Sequence, residues 1–499
     1  MLSVLIWVPI FGALLVALFP NKLPTGNVRL GALFISGFTL LWNVFVLIKF
    51  DVSNPGMQFR ENIPWNETLG LNYQLGVDGL SILMLALNSL LTWIAIYSSS
   101  KDTARPRLFY SLILLISGGV AGAFMAENLL LFFLFYELEL IPFYLLISIW
   151  GGEKRNYAGI KFLIYTAVSG ALILATFLGI VWLTGSKSFA MSDISTQSLS
   201  AASQLILLVG IVVGFGIKIP LVPFHTWLPD AYVEASAPVA ILLGGVLAKL
   251  GTYGLLRFGM SMFPDAWSAI APTLAIWGAG SAIYGTLTAI AQKDIKRMVA
   301  YSSIGHMGYV LLASAASTPL SLVGAIAQMV SHGIILAILF HLVGVVEAKV
   351  GTRELDKLNG LMSPIRGLPL VSALLVLGGM ASAGIPGMTG FIAEFIVFQG
   401  SFSVFPIPTL MCVIATALTA VYFVILLNRT CFGKLDNNLA YYPRTFWSEK
   451  MPAFILTALI IFLGVQPNWL VRWSEPTTTA MVAHIPQIKT TTSPQIALK

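Results

Sequence analysis

The 499-residue chain is poor in charge. Only 10% of its residues are Asp, Glu, Lys or Arg, against 57% that are hydrophobic, whereas ordinary soluble domains carry about 25% charged residues. That shortage excludes a soluble globular protein and leaves a polytopic membrane protein. Cysteine is scarce too. Cys412 and Cys431 are the only two, with no CxxC spacing and no histidine pair nearby, which excludes an iron–sulfur or zinc centre built by this chain. No GxGxxG follows a strand, no GxxxxGK[ST] loop occurs, and no paired haem-type histidines stand out. No basic cluster interleaved with aromatics points to nucleic acid. The net charge of +7 therefore speaks to topology and lipid headgroups. The N-terminal stretch MLSVLIWVPIFGALLVALFP lacks a basic n-region and a small-residue cleavage site, so it reads as a retained first helix.

Long apolar runs are what the chain has in abundance. Fourteen of them fall at about 2–19, 29–49, 78–98, 108–126, 129–150, 158–184, 203–228, 237–259, 267–291, 298–316, 319–347, 368–402, 407–431 and 452–470. Crossing the hydrocarbon needs roughly 20 residues, so the expected fold is all-α with fourteen transmembrane helices. Placing the N-terminus outside puts eighteen Lys and Arg, from Lys22 to Lys450, in the inner loops. Seven fall outside: Lys49, Arg60, Lys187, Arg257, Arg472, Lys489 and Lys499. That asymmetry predicts both termini on the outer side. The outer loop 50–77, with Asp51, Arg60, Glu61 and Glu67, is too short for a separate domain.

Charges nevertheless stand inside the apolar runs. Glu137 and Glu139 lie in LFFLFYELELIPFYLLISIW, Lys218 in GIVVGFGIKIPLVPFHTWLPD, Lys249 in GGVLAKLGTYGLLRF and Glu394 in GIPGMTGFIAEFIVFQG. A charge at the bilayer centre costs about 2.5–3.5 kcal/mol on insertion scales and marks an ion pathway by default. Pro220 and Pro223 break the seventh span beside Lys218. Gly384, Pro386, Gly387 and Gly390 break the twelfth one turn before Glu394. Broken helices in corresponding halves point to an inverted-repeat transporter site, and the separations of 169 residues from Glu137 to His306 and 176 from Lys218 to Glu394 fit a duplicated five-helix unit.

These groups suggest a proton relay. A carboxylate near Lys218 keeps it charged and its departure releases the proton; a Glu137–Lys218 pair is expected to act as that gate. Glu139, about 200° round the helix from Glu137, then faces a different neighbour. Lys249 serves as the middle station, His306 and His332 as relays that titrate near neutral pH, and Glu394 as the exit group. His341 is nine residues past His332, hence roughly on the opposite face of its helix. His225 and His484 read as structural, and the QKDIKR turn at 292–297 as a loop anchoring two helices.

The stretches LFFLFYELELIPFYLLISIWGGEKR, KIPLVPFHTWLPDAYVEASAPVAILLGGVLAKLGTYGLLRF, QKDIKRMVAYSSIGHMGYVLL, QMVSHGI and IPGMTGFIAEFIVFQGSF span most of residues 75–430. In them the chain resembles the antiporter-like subunits of respiratory complex I, of the chain 4 type. ELELIP and WGGEKR are similar to the photosynthetic NDH-1 version of cyanobacteria and chloroplasts. The resemblance implies inverted repeats at spans 4–8 and 9–13, dividing the chain into helices 1–3 (1–107), a first repeat (108–259), a second repeat (267–431), and helix 14 with a tail (432–499). It implies one proton channel, with Glu137, Lys218, Lys249 and Glu394 at the family's titratable positions. Glu139 and His341 lie outside the general pattern and leave an altered path or altered subunit contacts open. The lack of a long lateral helix after residue 470 argues against the chain 5 type.

The activity so implied is that of a translocase subunit: proton pumping in a membrane arm, coupled to plastoquinone reduction. This chain would bind no cofactor. Iron–sulfur clusters, plastoquinone and NAD(P)H or ferredoxin would be served by other subunits. Expected partners are antiporter-like chains 2 and 5, small subunits and membrane lipid, with no nucleic acid, in a cyanobacterial thylakoid with lumenal termini. Two alternatives stay open: a subunit of a multisubunit Na⁺/H⁺ antiporter, and a chain 4 paralogue of a CO₂-uptake NDH-1 form serving mainly in docking or proton exit.

Overall fold

In a computed structural model of the chain, residues 1–20, 23–66, 68, 70–435 and 442–486 are described; Lys22, Glu67, Lys489 and Lys499 lie outside the described residues. Helices α1 (Ser3–Ala17) and α2 (Thr25–Lys49) are followed by strands β1 (Gln58–Asn66) and β2 (Leu71–Val77). Then come α3 (Gly79–Ser98), α4 (Pro106–Met125), α5 (Leu129–Leu138), α6 (Leu140–Trp150), α7 (Arg155–Thr184), α8 (Ala201–Lys218), α9 (Trp227–Glu234), α10 (Ala237–Leu242) and α11 (Ala248–Gly254). The second half holds α12 (Pro264–Ile290), α13 (Ile295–Ala316), α14 (Pro319–Val350), α15 (Pro369–Ser382), α16 (Thr389–Phe402), α17 (Pro406–Thr430), α18 (Trp447–Val465) and α19 (Asn468–Val482).

Among the described residues, eleven helical segments are long and apolar enough to cross a membrane, with α5–α6 forming one and Ala237–Met260 another; α1, α15 and α16 are shorter and apolar. The chain is a helical polytopic membrane protein. The all-α expectation needs one correction. The loop 50–77 carries an antiparallel hairpin that pairs Gln58 with Val77 and Ile63 with Tyr73. It is clamped to the bundle through Glu61, which takes the N-terminal ammonium and the Ser3 hydroxyl, and through Arg60–Glu127 at 3.1 Å. The segment read as a tail contains α19, which lies across the hairpin end of the bundle. Thr477 Oγ1 accepts from Gly79 N at 3.0 Å. A Cβ at Gly79 would stand 2.2 Å from the Trp473 carbonyl, so only glycine admits this approach.

The segment Ala237–Met260 and α14 are buried along their most apolar windows, whereas α2, α7, α17 and α18 are largely exposed. The exposed apolar surfaces of those helices suit acyl chains, where apolar side chains cost nothing, while α13, α14 and Ala237–Met260 are walled in by protein. Lys249, His306 and His332 lie on that central group, with Glu394 beside it on α16.

Candidate functional site

Lys218 closes α8. Pro220 and Pro223 remove two backbone donors after it, so the helix cannot continue. The freed groups find partners in protein: Trp227 Nε1 donates to the Ile217 carbonyl at 2.9 Å, Val222 N to Ser281 Oγ at 3.3 Å, and Trp277 Nε1 to the Val222 carbonyl. Irregular backbone at membrane depth needs such satisfaction. The stem of Lys218 seats on Gly251, where an added Cβ would lie 3.2 Å from the Lys218 Cβ and 2.8 Å from Ile219.

The partner of Lys218 is not the one expected. Its ammonium forms an ion pair with Glu139, and the two side chains are 1% and 0% exposed. It also lies 4.1 Å from the centre of the Tyr136 ring, a cation–π contact. Glu137, read above as its partner, is half-buried and sits against Gly170 of α7, with no ion pair among the described residues. Pro142 cannot donate to the Leu138 carbonyl, and a one-residue joint at Glu139 separates α5 from α6. Glu139 keeps helical dihedrals (φ −81°, ψ −19°), so the two acids still face different neighbours; periodicity alone does not say which of them meets Lys218.

Lys249 stands on α11, between two π-helical turns, Leu243–Leu247 and Leu255–Met260. Such turns release carbonyls from the regular ladder. Lys249 Nζ donates to the Gly244 carbonyl at 2.7 Å and meets His332 Nδ1 at 2.7 Å. The His332 and His306 rings follow with centroids 5.4 Å apart. His306 Nδ1 is 3.4 Å from Glu394 Oε1 and 3.1 Å from Gln328 Nε2. Its Nε2 is 3.2 Å from Ser382 Oγ. A proton on Nδ1 turns this nitrogen toward the Glu394 carboxylate; a bare Nδ1 accepts from Gln328. The site supplies a partner for either state. Glu394 rests on the second break, its Oε2 against Gly384, which has φ +71°; a side chain there would be strained and would crowd the acid.

Lys249, His332, His306 and Glu394 thus lie in one buried row, in which the two imidazole rings meet without a hydrogen bond between them, and Lys218 with Glu139 forms a separate pair. Among the described residues no hydrogen bond or ion pair joins the pair to the row. Gln328, one turn before His332 in AQMVSHG, escaped the sequence reading, although its i,i+4 spacing from a relay histidine was available. Ser382 carried no signal, because it meets His306 only through the packing of the broken span.

His341 does not join the row. Its Nε2 donates to the Glu449 carbonyl at 2.7 Å and docks the start of α18. His225 Nε2 is 3.2 Å from Tyr284 OH. His484 lines a cavity of about 240 Å³ beside the Asp78–Arg257 ion pair, 2.6 Å long. At the end opposite the hairpin, Asp230 takes Lys161 Nζ at 2.8 Å and the Arg297 guanidinium. Burial opposes ionisation of Asp230, but those two donors win and hold its carboxyl below the usual value. Arg353 joins Asp294 at 2.5 Å, Glu347 at 3.1 Å and Glu234 at 3.8 Å. The QKDIKR turn therefore anchors α9, α13 and α14 to one another. Among the described residues no three His, Cys, Asp or Glu side chains converge as metal ligands would.

A bundle with a buried row of two histidines, a lysine and an acid defines a class of membrane protein that moves ions or protons. Residues 126–419 match the transmembrane family shared by NADH:quinone oxidoreductase and the Mrp antiporter. The chain is 39% identical over 497 residues to NAD(P)H-quinone oxidoreductase chain 4 1 of Synechococcus elongatus, covering 97% of this chain and 92% of that one. It is 40% identical over 479 residues to NAD(P)H-quinone oxidoreductase chain 4 of Prochlorococcus marinus, covering 94% and 89%. A chain of respiratory complex I from Thermus thermophilus superposes with a TM-score of 0.87 at 27% identity, covering 97% of this chain and 99% of that one. A chain of the Mrp complex from Dietzia sp. shares the fold, with a TM-score of 0.86 at 22% identity over 96% and 97%. The chain belongs to the NADH:quinone oxidoreductase/Mrp antiporter transmembrane family.

Proposed function

We propose that this chain is the chain 4 subunit of an NDH-1 complex and carries protons across the membrane arm while other subunits reduce plastoquinone. The observation that carries the reading is the buried row Lys249–His332–His306–Glu394, in which each group has a titratable neighbour within 2.7–5.4 Å. Lys249 and His332 share one proton position, since an ammonium donates to a neutral Nδ1 and an imidazole donates back to a neutral amine. Glu394, at the second break, releases the proton. Lys218 is the gate. Held by Glu139 it is charged and compensated; drawn toward Glu137 it moves to a more open flank.

The finer architecture proposed is fourteen spans, counting α15–α16 as one broken span, with inverted repeats at spans 4–8 and 9–13. Breaks beside Lys218 and Glu394 support it. The lysine- and arginine-rich end opposite the hairpin faces the cytoplasm, which puts both termini on the lumenal side of a thylakoid. The partners are antiporter-like chains 2 and 5 and small subunits. Iron–sulfur clusters and the NAD(P)H or ferredoxin site belong to other chains.

The test uses the purified complex in sealed vesicles. Glu137→Gln is expected to assemble yet pump fewer protons per electron; Lys218→Ala strands the Glu139 carboxylate and lowers the yield of complex, and the ratio in the complex that does assemble is expected to fall as well. Undiminished pumping in both variants contradicts the reading. Co-purification with small membrane subunits alone, without iron–sulfur and quinone-binding chains, would instead mark a stand-alone Na⁺/H⁺ antiporter.

A further inference from the structure

Lys218 packs on Gly251 of the helix that carries Lys249, but among the described residues no hydrogen bond joins the two lysines, and one short element hydrogen-bonds to the backbone beside both. Helix α9 is eight residues long. Near its start, Trp227 Nε1 donates to the carbonyl of Ile217, the residue before Lys218, at 2.9 Å. Five residues on, Tyr232 OH donates to the Leu243 carbonyl at 2.9 Å. Leu243 opens the π turn, and the next carbonyl, Gly244, takes Lys249 Nζ at 2.7 Å. The Trp227 and Tyr232 rings are fully buried and meet edge to face with centroids 6.4 Å apart. Tyr232 is braced from behind by Phe340 at 5.5 Å, and Trp227 by Phe162 at 5.5 Å. Close-packed rings transmit displacement, since they have no void to move into.

We propose that α9 couples the two lysines mechanically and that Tyr232 is a positioning residue for proton transfer at Lys249. This rests on the proton-transfer reading above. When Lys218 changes partner, the broken end of α8 shifts. Trp227 follows the Ile217 carbonyl, and Tyr232 pulls the Leu243 carbonyl in the π turn. The Gly244 carbonyl turns with it, and Lys249 is redirected between that carbonyl and His332. The gate then reaches the row through fixed hydrogen bonds, without a proton passing from one lysine to the other.

Protons pumped per electron are measured for the whole complex in vesicles, comparing wild type with Tyr232→Phe, Tyr232→His and Lys249→Ala. The phenylalanine keeps the ring and removes only the donor; its ratio is expected to fall to the Lys249→Ala level. The histidine restores an N–H donor and is expected to recover at least half of the lost ratio, which a purely structural role for the ring would not produce. A wild-type ratio in Tyr232→Phe, with Lys249→Ala impaired, overturns the coupler alone, as does failure of Tyr232→His to recover it. A wild-type ratio in Lys249→Ala overturns the proton-transfer reading and the coupler together. If Tyr232→Phe does not assemble, Trp227→Phe, which deletes the donor to Ile217, replaces it with the same expected fall.

Discussion

Glu139 and Lys218 compensate each other where neither side chain is more than 1% exposed. Removing one partner of such a pair strands the other as a buried charge, at about 3–5 kcal/mol. Glu139→Gln is therefore expected to destabilise the assembled complex by about that amount, read as a lowered melting temperature and less intact complex on a native gel. Glu137→Gln, at a half-buried acid with no ion pair among the described residues, is expected to leave that temperature nearly unchanged. The ELELIP motif put two acids and a lysine in view but did not say which acid the lysine would hold. Helix periodicity said that the two acids face different neighbours, which holds, but it could not say which neighbour each would find. Lys249, His306, His332 and Glu394 stood out in the sequence because charge and imidazole inside apolar runs are costly, and the structure brings the four together. Gln328 and Ser382 look ordinary in a sequence; only packing brings them to His306.

At the scale of elements, prolines and glycines announced both broken helices. The π turns around Lys249 were hidden, since each depends on which carbonyls neighbouring helices engage. The hairpin and α19 were missed because a search for long apolar runs passes over short, mixed segments. Helix α9 is held in its first turn by Asp230. Its carboxyl ionises at lower pH in the folded chain than in the unfolded one. The stabilisation is therefore complete above the ordinary carboxylate range, around pH 4, and is lost as pH falls through the lower folded value. Asp230→Asn should lower the melting temperature of the complex at pH 7, and the gap to wild type should close in acid below about pH 4. A gap constant across pH would remove the ion pairs with Lys161 and Arg297 as its cause.

Across the whole molecule, the more exposed apolar helices surround a central group that carries Lys249, His306 and His332, with Glu394 beside it on α16. The cost of those charges is met by neighbours: a carbonyl for Lys249, a carboxylate and an amide for His306, a second acid for Lys218. The helical membrane class followed from composition and the apolar runs; the order of the stations did not, because the row runs Lys249, His332, His306, Glu394, with the two histidines reversed relative to the chain. Nor did the separation of the Lys218 pair from the Lys249 row, because sequence distance is silent about which helices touch.

The central claim is that protons cross through the buried row, and His332 sits in its middle between Lys249 and His306. Protons pumped per electron by the reconstituted complex carrying His332→Leu, set against wild type, test it most directly. Transfer through the row predicts a clear fall in that ratio while quinone reduction continues; a ratio equal to wild type in a fully assembled variant complex contradicts it.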